Sequence, residues 1–114
     1  MTSRNRQRGK RWERSVRDYL KRHGLVVVKP QEGAAADLGD AIVVGKHPWM
    51  LEMKDEQAID LPGYLREVAT QQVNAGIPFG AAVVKARRQS VGDAYLVMRL
   101  SDLPRLLEAT EALP

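Results

Sequence analysis

The stretch WMLEMKDE, residues 49–56, ends an apolar run with a glutamate and a lysine two positions apart, Glu52 and Lys54. A strand's period of two sends both charged groups to one face. On a surface strand the two make a solubilising ion pair worth little. In the middle of a small α/β domain they need a reason, because partly buried charges are costly unless paired, metal-bound or functional. Asp40 opens the earlier run DAIVV, with eleven residues between it and Glu52. If the two runs form an antiparallel hairpin, the start of one lies beside the end of the other and the two carboxylates meet at a sheet end. Such a pair suits a hard divalent cation such as Mg²⁺, which takes one or two carboxylates, keeps several waters and binds substrate phosphate. The carbonyl of Met53 is a further candidate ligand, and Mn²⁺ is expected to substitute. Lys54 can then hold or polarise a water for attack on phosphorus while the metal stabilises the developing charge. By itself the pattern is weak, since acids and lysines are abundant.

Composition narrows what could surround these residues. The chain has 114 residues, 44% of them hydrophobic, enough for about one domain with a modest core. With no cysteine, disulfide scaffolds and thiolate zinc sites are excluded. The N-terminus has no apolar signal region and no run long enough to span a membrane, so a cytoplasmic protein with no membrane partner is expected. Nine of the 18 Lys and Arg residues lie in the first 22 positions against two acids, a net +7 within a chain of net +4. That segregation points to a polyanion, nucleic acid above all. A solvated basic helix is the bland alternative. Aromatic residues are only 5%, which argues against recognition by rows of stacked bases.

Around the candidate residues, the pattern of apolar positions predicts the elements. Trp12, Val16, Tyr19 and Leu20 recur at helical spacing over residues 8–23, with Gly24 as the stop. LVVVKP, residues 25–30, reads as a buried strand, and QEGAAADLG as a loop. Residues 40–44 and 49–54 read as two strands joined by GKHP. Asp60 caps a helix over residues 62–75, with Pro62 in its first turn and Gly76 as its stop. FGAAVVKA and AYLVMRL are two more strands joined by the polar turn RRQSVGD, and Ser101 is placed to cap a short last helix, DLPRLLEA. The order αβββαββα implies an α/β domain around one mixed sheet. Residues 1–9 read as a flexible basic arm and residues 10–114 as one domain.

The ordered blocks carry a resemblance. RGKRWERSVRDYLKRHGLVVV, then GDAIVV, MLEMK, DLPGYLREV and AAVVKARR…GDAYLVM together resemble the PD-(D/E)XK, restriction-endonuclease-like nucleases. Within them the chain is similar to the small archaeal-type and bacteriophage Holliday junction resolvases, over residues 8–107. The resemblance implies a restriction-endonuclease-like core, a mixed five-stranded sheet flanked by helices. It also implies a metal-dependent DNA endonuclease without an organic cofactor, acting in recombination or repair. Asp40 and Glu52 match the metal-binding carboxylates and Lys54 the motif lysine. Glu13, otherwise an ordinary helix acid among arginines, matches the first-helix glutamate that completes the metal site or orients its water. The family's proline before the aspartate is replaced by Gly39, which leaves Asp37 as an alternative ligand. Asp40 is preferred because it leads directly into the strand, whereas Asp37 sits in a loop that can swing.

Remaining candidates are weaker. Gln71 and Gln72 lie where related nucleases sometimes place a polar site residue, and Gln72 is carried as a candidate, although a solvated helix face is the favoured reading of both. Arg4, Arg6, Arg8, Lys10, Arg11, Arg14, Lys85, Arg87 and Arg88 are candidate phosphate contacts. His23 and His47 lack a ligand partner at useful spacing. Because a four-way junction offers two cuts related by a two-fold axis, a homodimer is expected, as the resemblance also implies. The rivals are another nuclease of the same fold, for nicking, repair or fork cleavage, and a basic DNA-binding module without catalysis.

Overall fold

The computed structural model describes residues 3–30 and 37–111. Its elements follow the order α1 (Ser3–Arg22), β1 (Val26–Val28), β2 (Ala41–Val44), β3 (Trp49–Lys54), α2 (Leu61–Ala75), β4 (Phe79–Val84), a 3₁₀ turn (Val91–Asp93), β5 (Tyr95–Val97) and α3 (Asp102–Ala109). One mixed five-stranded sheet runs β1-β2-β3-β4-β5. All neighbours are antiparallel except β3 and β4, which run parallel because α2 crosses between them. The expected order and the mixed five-stranded sheet are therefore both present.

The two long helices bury opposite faces of the sheet. Trp12 and Val16 of α1 pack against Val27, Ala41, Leu51, Met53, Ala81 and Val83. The Trp12 indole also donates to the Val83 carbonyl at 3.2 Å, so its polar edge is satisfied inside the core. Tyr64 and Val68 of α2 pack against Met50, Ala82 and Val84 on the other face. β3 and β4 are thus covered on both sides, and every residue of β4 is buried. A carboxylate in β3 is consequently drawn out of water by the architecture itself.

Helix ends are set by local chemistry. After α1 the Gly24 N–H bonds to the Lys21 carbonyl and the Leu25 N–H to the Leu20 carbonyl, with Gly24 in the left-handed region at φ +86°. At α2 the Asp60 carboxylate accepts from the Gly63 N–H at 3.0 Å, and Gly76 closes the helix.

Several expectations are corrected. Residues 3–9 of the expected flexible arm are the first two turns of α1, because Arg, Gln and Lys favour helix and no proline interrupts them; residues 1–2 lie outside the described residues. The valine run is an edge strand with only Val27 buried, because α1 covers one face of it and no helix covers the other, which Val26 and Val28 line. Ser101 does not cap α3 with its side chain: it is itself in helical conformation. Residues 31–36 of the expected small-residue loop lie outside the described residues.

Candidate active site

The candidate site gathers around the C-terminal end of β3. The hairpin register pairs Ala41 with Leu51, so Asp40 stands opposite Glu52. The Asp40 N–H donates to the Leu51 carbonyl at 2.9 Å, and its carboxylate Oδ2 accepts the Met53 N–H at 2.8 Å. Gly39, at φ +87°, makes this approach possible: a Cβ there would meet the Met50 sulfur at 2.3 Å. Proline, fixed near −65°, is incompatible with that backbone, which explains physically why the proline of the resembled motif is missing.

Glu52 is 8% exposed. Burial, then the charge of Asp40 and a hydrogen bond with it, push its carboxyl up to about 9, against the opposing pull of Gln71 and Lys54. A divalent cation between two such carboxylates relieves their mutual repulsion, and the donor set fits Mg²⁺, which needs only one or two carboxylates. The Met53 carbonyl, on the β2-facing edge beyond the last ladder pair, is placed to assist. Glu13 lies across on α1, half-buried and 3.8 Å from Arg17. Burial and then the charge of Asp40 raise its carboxyl, so it senses the pair without being packed into it. Among the described residues no three His, Asp or Glu side chains converge tightly enough to form a complete ligand cage.

Lys54 is held as a cation. Burial alone pulls its amine down, but the hydrogen bond to Glu67 and the charges of Glu52, Glu67 and Glu56 outweigh this and raise it. Its Nζ donates to both Glu67 oxygens at 3.2 and 3.0 Å, stands 3.9 Å from Glu52 and lies over the Tyr64 ring. The Tyr64 hydroxyl in turn donates to Glu56 at 2.6 Å.

Sequence reasoning selected the wrong glutamine. Gln72 donates to the Pro78 carbonyl at 3.0 Å, away from the carboxylates. Gln71, 1% exposed, donates to Glu52 Oε2 and to Asp37 Oδ2 at 2.8 Å. The signal was available: Tyr64, Val68 and Gln71 repeat at spacings of four and three, the period of the buried face of α2. Nor does Asp37 swing. Its carboxylate also accepts the Gly39 N–H and its carbonyl accepts from Asn74, which ties the segment to α2.

The cationic candidates divide. Arg6, Arg8 and Lys10 line a cleft of about 360 Å³ together with Asn5, Glu13, Met53, Lys54 and Glu56. Arg4, Arg11, Arg14 and Arg88 are exposed and do not line it. Arg8, Lys85 and Arg87 converge on Asp55, a residue the sequence reading passed over. His23 packs on Tyr19, with ring centroids 4.5 Å apart.

Among solved structures, the 1.6 Å structure of Hjc, a Holliday junction resolvase from the archaeal hyperthermophile Archaeoglobus fulgidus, superposes with a TM-score of 0.56. The chain shares the fold of that resolvase. The match covers 85% of this chain and 93% of the Hjc chain at 15% sequence identity. No protein-family model matches the sequence, and no curated protein sequence matches it. The restriction-endonuclease-like architecture inferred from the ordered blocks thus stands on the fold.

Proposed function

We propose that the chain is a metal-dependent DNA endonuclease that hydrolyses phosphodiesters, acting by preference on four-way and other branched junctions. One observation carries the reading: Asp40 and the buried Glu52 face one another at a sheet end, with a charged lysine 3.9 Å from Glu52 and a cleft lined by Arg6, Arg8 and Lys10 alongside. A purely structural ion pair does not require two carboxylates in contact, which is unfavourable in the absence of a cation. The shared fold with Hjc supports the reading.

In this mechanism Asp40 and Glu52, with the Met53 carbonyl, would hold Mg²⁺ or Mn²⁺, and Glu13 would contribute through water. Such an ion, when bound, would supply Lewis-acid stabilisation of the charge that develops on the phosphate. Lys54 exchanges one of its Glu67 contacts for the incoming phosphate or for the attacking water, which it orients and keeps in a cationic environment. Gln71 fixes the Glu52 carboxylate in the orientation that points it at Asp40. The exposed arginines of α1 neutralise flanking phosphates, and the partner is branched DNA. A homodimer matches the two-fold symmetry of a junction. The chain acts as one nuclease domain that includes the whole of α1, in recombination, repair or bacteriophage DNA processing. No described helix is long and apolar enough to cross a membrane, and the cytoplasm of a cell or viral host is the proposed location.

The test is incubation of purified protein with a labelled immobile four-way junction, with Mg²⁺ or EDTA, beside Glu52→Gln. Flap, splayed and linear substrates run in parallel. Metal-dependent cutting of the junction that Glu52→Gln abolishes supports the reading. Equal cutting of linear duplex assigns the chain to another nuclease of this fold. Binding without cutting in Mg²⁺ and Mn²⁺ leaves a DNA-binding module.

A further inference from the structure

Asp55 follows the motif lysine directly and is used by no step above. Its side chain is 1% exposed, yet three cations from two distant segments surround it: Arg87 Nη1 at 2.6 Å, Arg8 Nε at 3.6 Å and Lys85 Nζ at 3.9 Å. Arg8 reaches in from α1 and also donates to the Asp55 backbone carbonyl at 3.4 Å. Lys85 lies over the Trp12 ring, and its N–H bonds to the Lys54 carbonyl at 2.9 Å.

The arrangement exceeds what a structural ion pair needs. One carboxylate balances one cation, so the cluster keeps a surplus of two positive charges. The surplus faces outward: the carboxylate is buried while the Arg8, Lys85 and Arg87 side chains are 35%, 35% and 44% exposed. None of the three contacts has hydrogen-bond geometry, and the Arg8 Nε–H is buried without an acceptor. Buried donors without acceptors are rare in folded proteins. Arginine offers a planar fork of donors that matches phosphate oxygens. Arg8 and Asp55 line a cleft to which Arg6 and Lys10 add further positive charge and Glu13 and Glu56 negative; Met53 and Lys54 also line it, so it is continuous with the candidate active site.

We propose that Asp55 is a positioning residue that gathers Arg8, Lys85 and Arg87 into a second phosphate subsite, for a backbone phosphate of the same strand flanking the one that is cut. The inference rests on the nuclease reading for its location, but its binding test does not need cleavage. By fixing one cation from α1 and two from the segment after β4 on the buried anion that follows β3, the protein sets the direction in which the strand leaves Lys54.

The test is a four-way junction in which one backbone phosphate at a time is replaced by a neutral methylphosphonate. Binding is measured in EDTA and cleavage in Mg²⁺. The wild type loses about tenfold in affinity at one position, the scale of a charged hydrogen bond, and in Mg²⁺ that position flanks the cut. Arg87→Ala, at an exposed turn that leaves the core intact, reduces this local loss to less than about twofold, because the contact is already gone. Asp55→Asn preserves shape and overall affinity but spreads the loss over several positions, which a merely structural role does not predict. A flat scan in the wild type, or a dip that persists at full depth in both Arg87→Ala and Arg8→Ala, overturns the subsite. Failure of the wild type to cut any substrate in Mg²⁺ removes the nuclease reading separately, and the binding scan still decides the subsite.

Discussion

The two sides of β3's C-terminal end are opposite in character. Toward α2 the side chains are mostly acidic: Glu52, Glu56 and Glu67 surround Lys54, and Gln71 bridges Glu52 to Asp37. Toward α1 cations predominate, with Arg6, Arg8 and Lys10 along a cleft that Glu13 and Glu56 also line, and Asp55 buried among three of them. A polyanion is repelled by the first side and attracted to the second, so the field of the protein orients the strand before any base is read. The acidic side is therefore suited to holding a cation and a water, and the basic side to holding substrate. Neither alone amounts to an enzyme.

The comparison breaks most sharply at the carboxylates. Glu52→Gln and Asp40→Asn are expected to lower single-turnover cleavage at least ~10³-fold, because the cation site disappears. DNA affinity in the same variants holds steady or rises, since repulsion of phosphate is relieved; anisotropy titrations check this, and a parallel loss of binding would contradict it. Gln71→Leu comes next. It removes the donor to Glu52 and Asp37 without changing the packing volume much, and should cost about tenfold or more in cleavage while leaving DNA affinity unchanged. Because the buried Glu52 loses its donor, its melting temperature should drop by about 5 °C.

A third expectation concerns pH. Unfolded, Glu52 ionises near the usual 4.5; folded, it keeps its proton to about 9. Between those values the folded state binds more protons, so in EDTA stability falls as pH rises from about 5 to 9. Glu52→Gln flattens this decline, and saturating Mg²⁺ opposes it by binding only the folded site. Melting curves at successive pH values read it directly; a wild-type profile as flat as that of Glu52→Gln would contradict the raised Glu52 carboxyl. The smallest effect lies on the outer face of α1. Replacing Arg4, Arg11 and Arg14 one at a time by Ala should each reduce the slope of log affinity against log salt by about 1, whereas Glu67→Gln leaves the slope unchanged.

Much of this was legible before the structure. Asp40, Glu52 and Lys54 were picked out because strand periodicity and a short hairpin suffice to bring them together, and both are local. The caps of α2 were equally local, one acid and one glycine at fixed offsets. The misses depend on information that no short window contains. Asp55 reads as one acid in a charged run, and only the packing of α1 and the exit of β4 against it reveal its three partners. The valine run carries the composition of a buried strand, but its exposure depends on where α2 lies. Gln71 is intermediate: its spacing placed it on the buried face, and its polar character concealed that.

The last rung between β3 and β4, the Lys85 N–H on the Lys54 carbonyl, joins the strand end that carries the proposed cation site to the segment that carries the proposed phosphate subsite through main chain alone. The spacing between them is thus independent of which side chains the segment 85–88 carries. Exchanging those side chains should retune which DNA geometries are accepted while leaving the hydrolytic residues in place, so this short turn is where new substrate preferences can be written at little expense to the rest of the molecule.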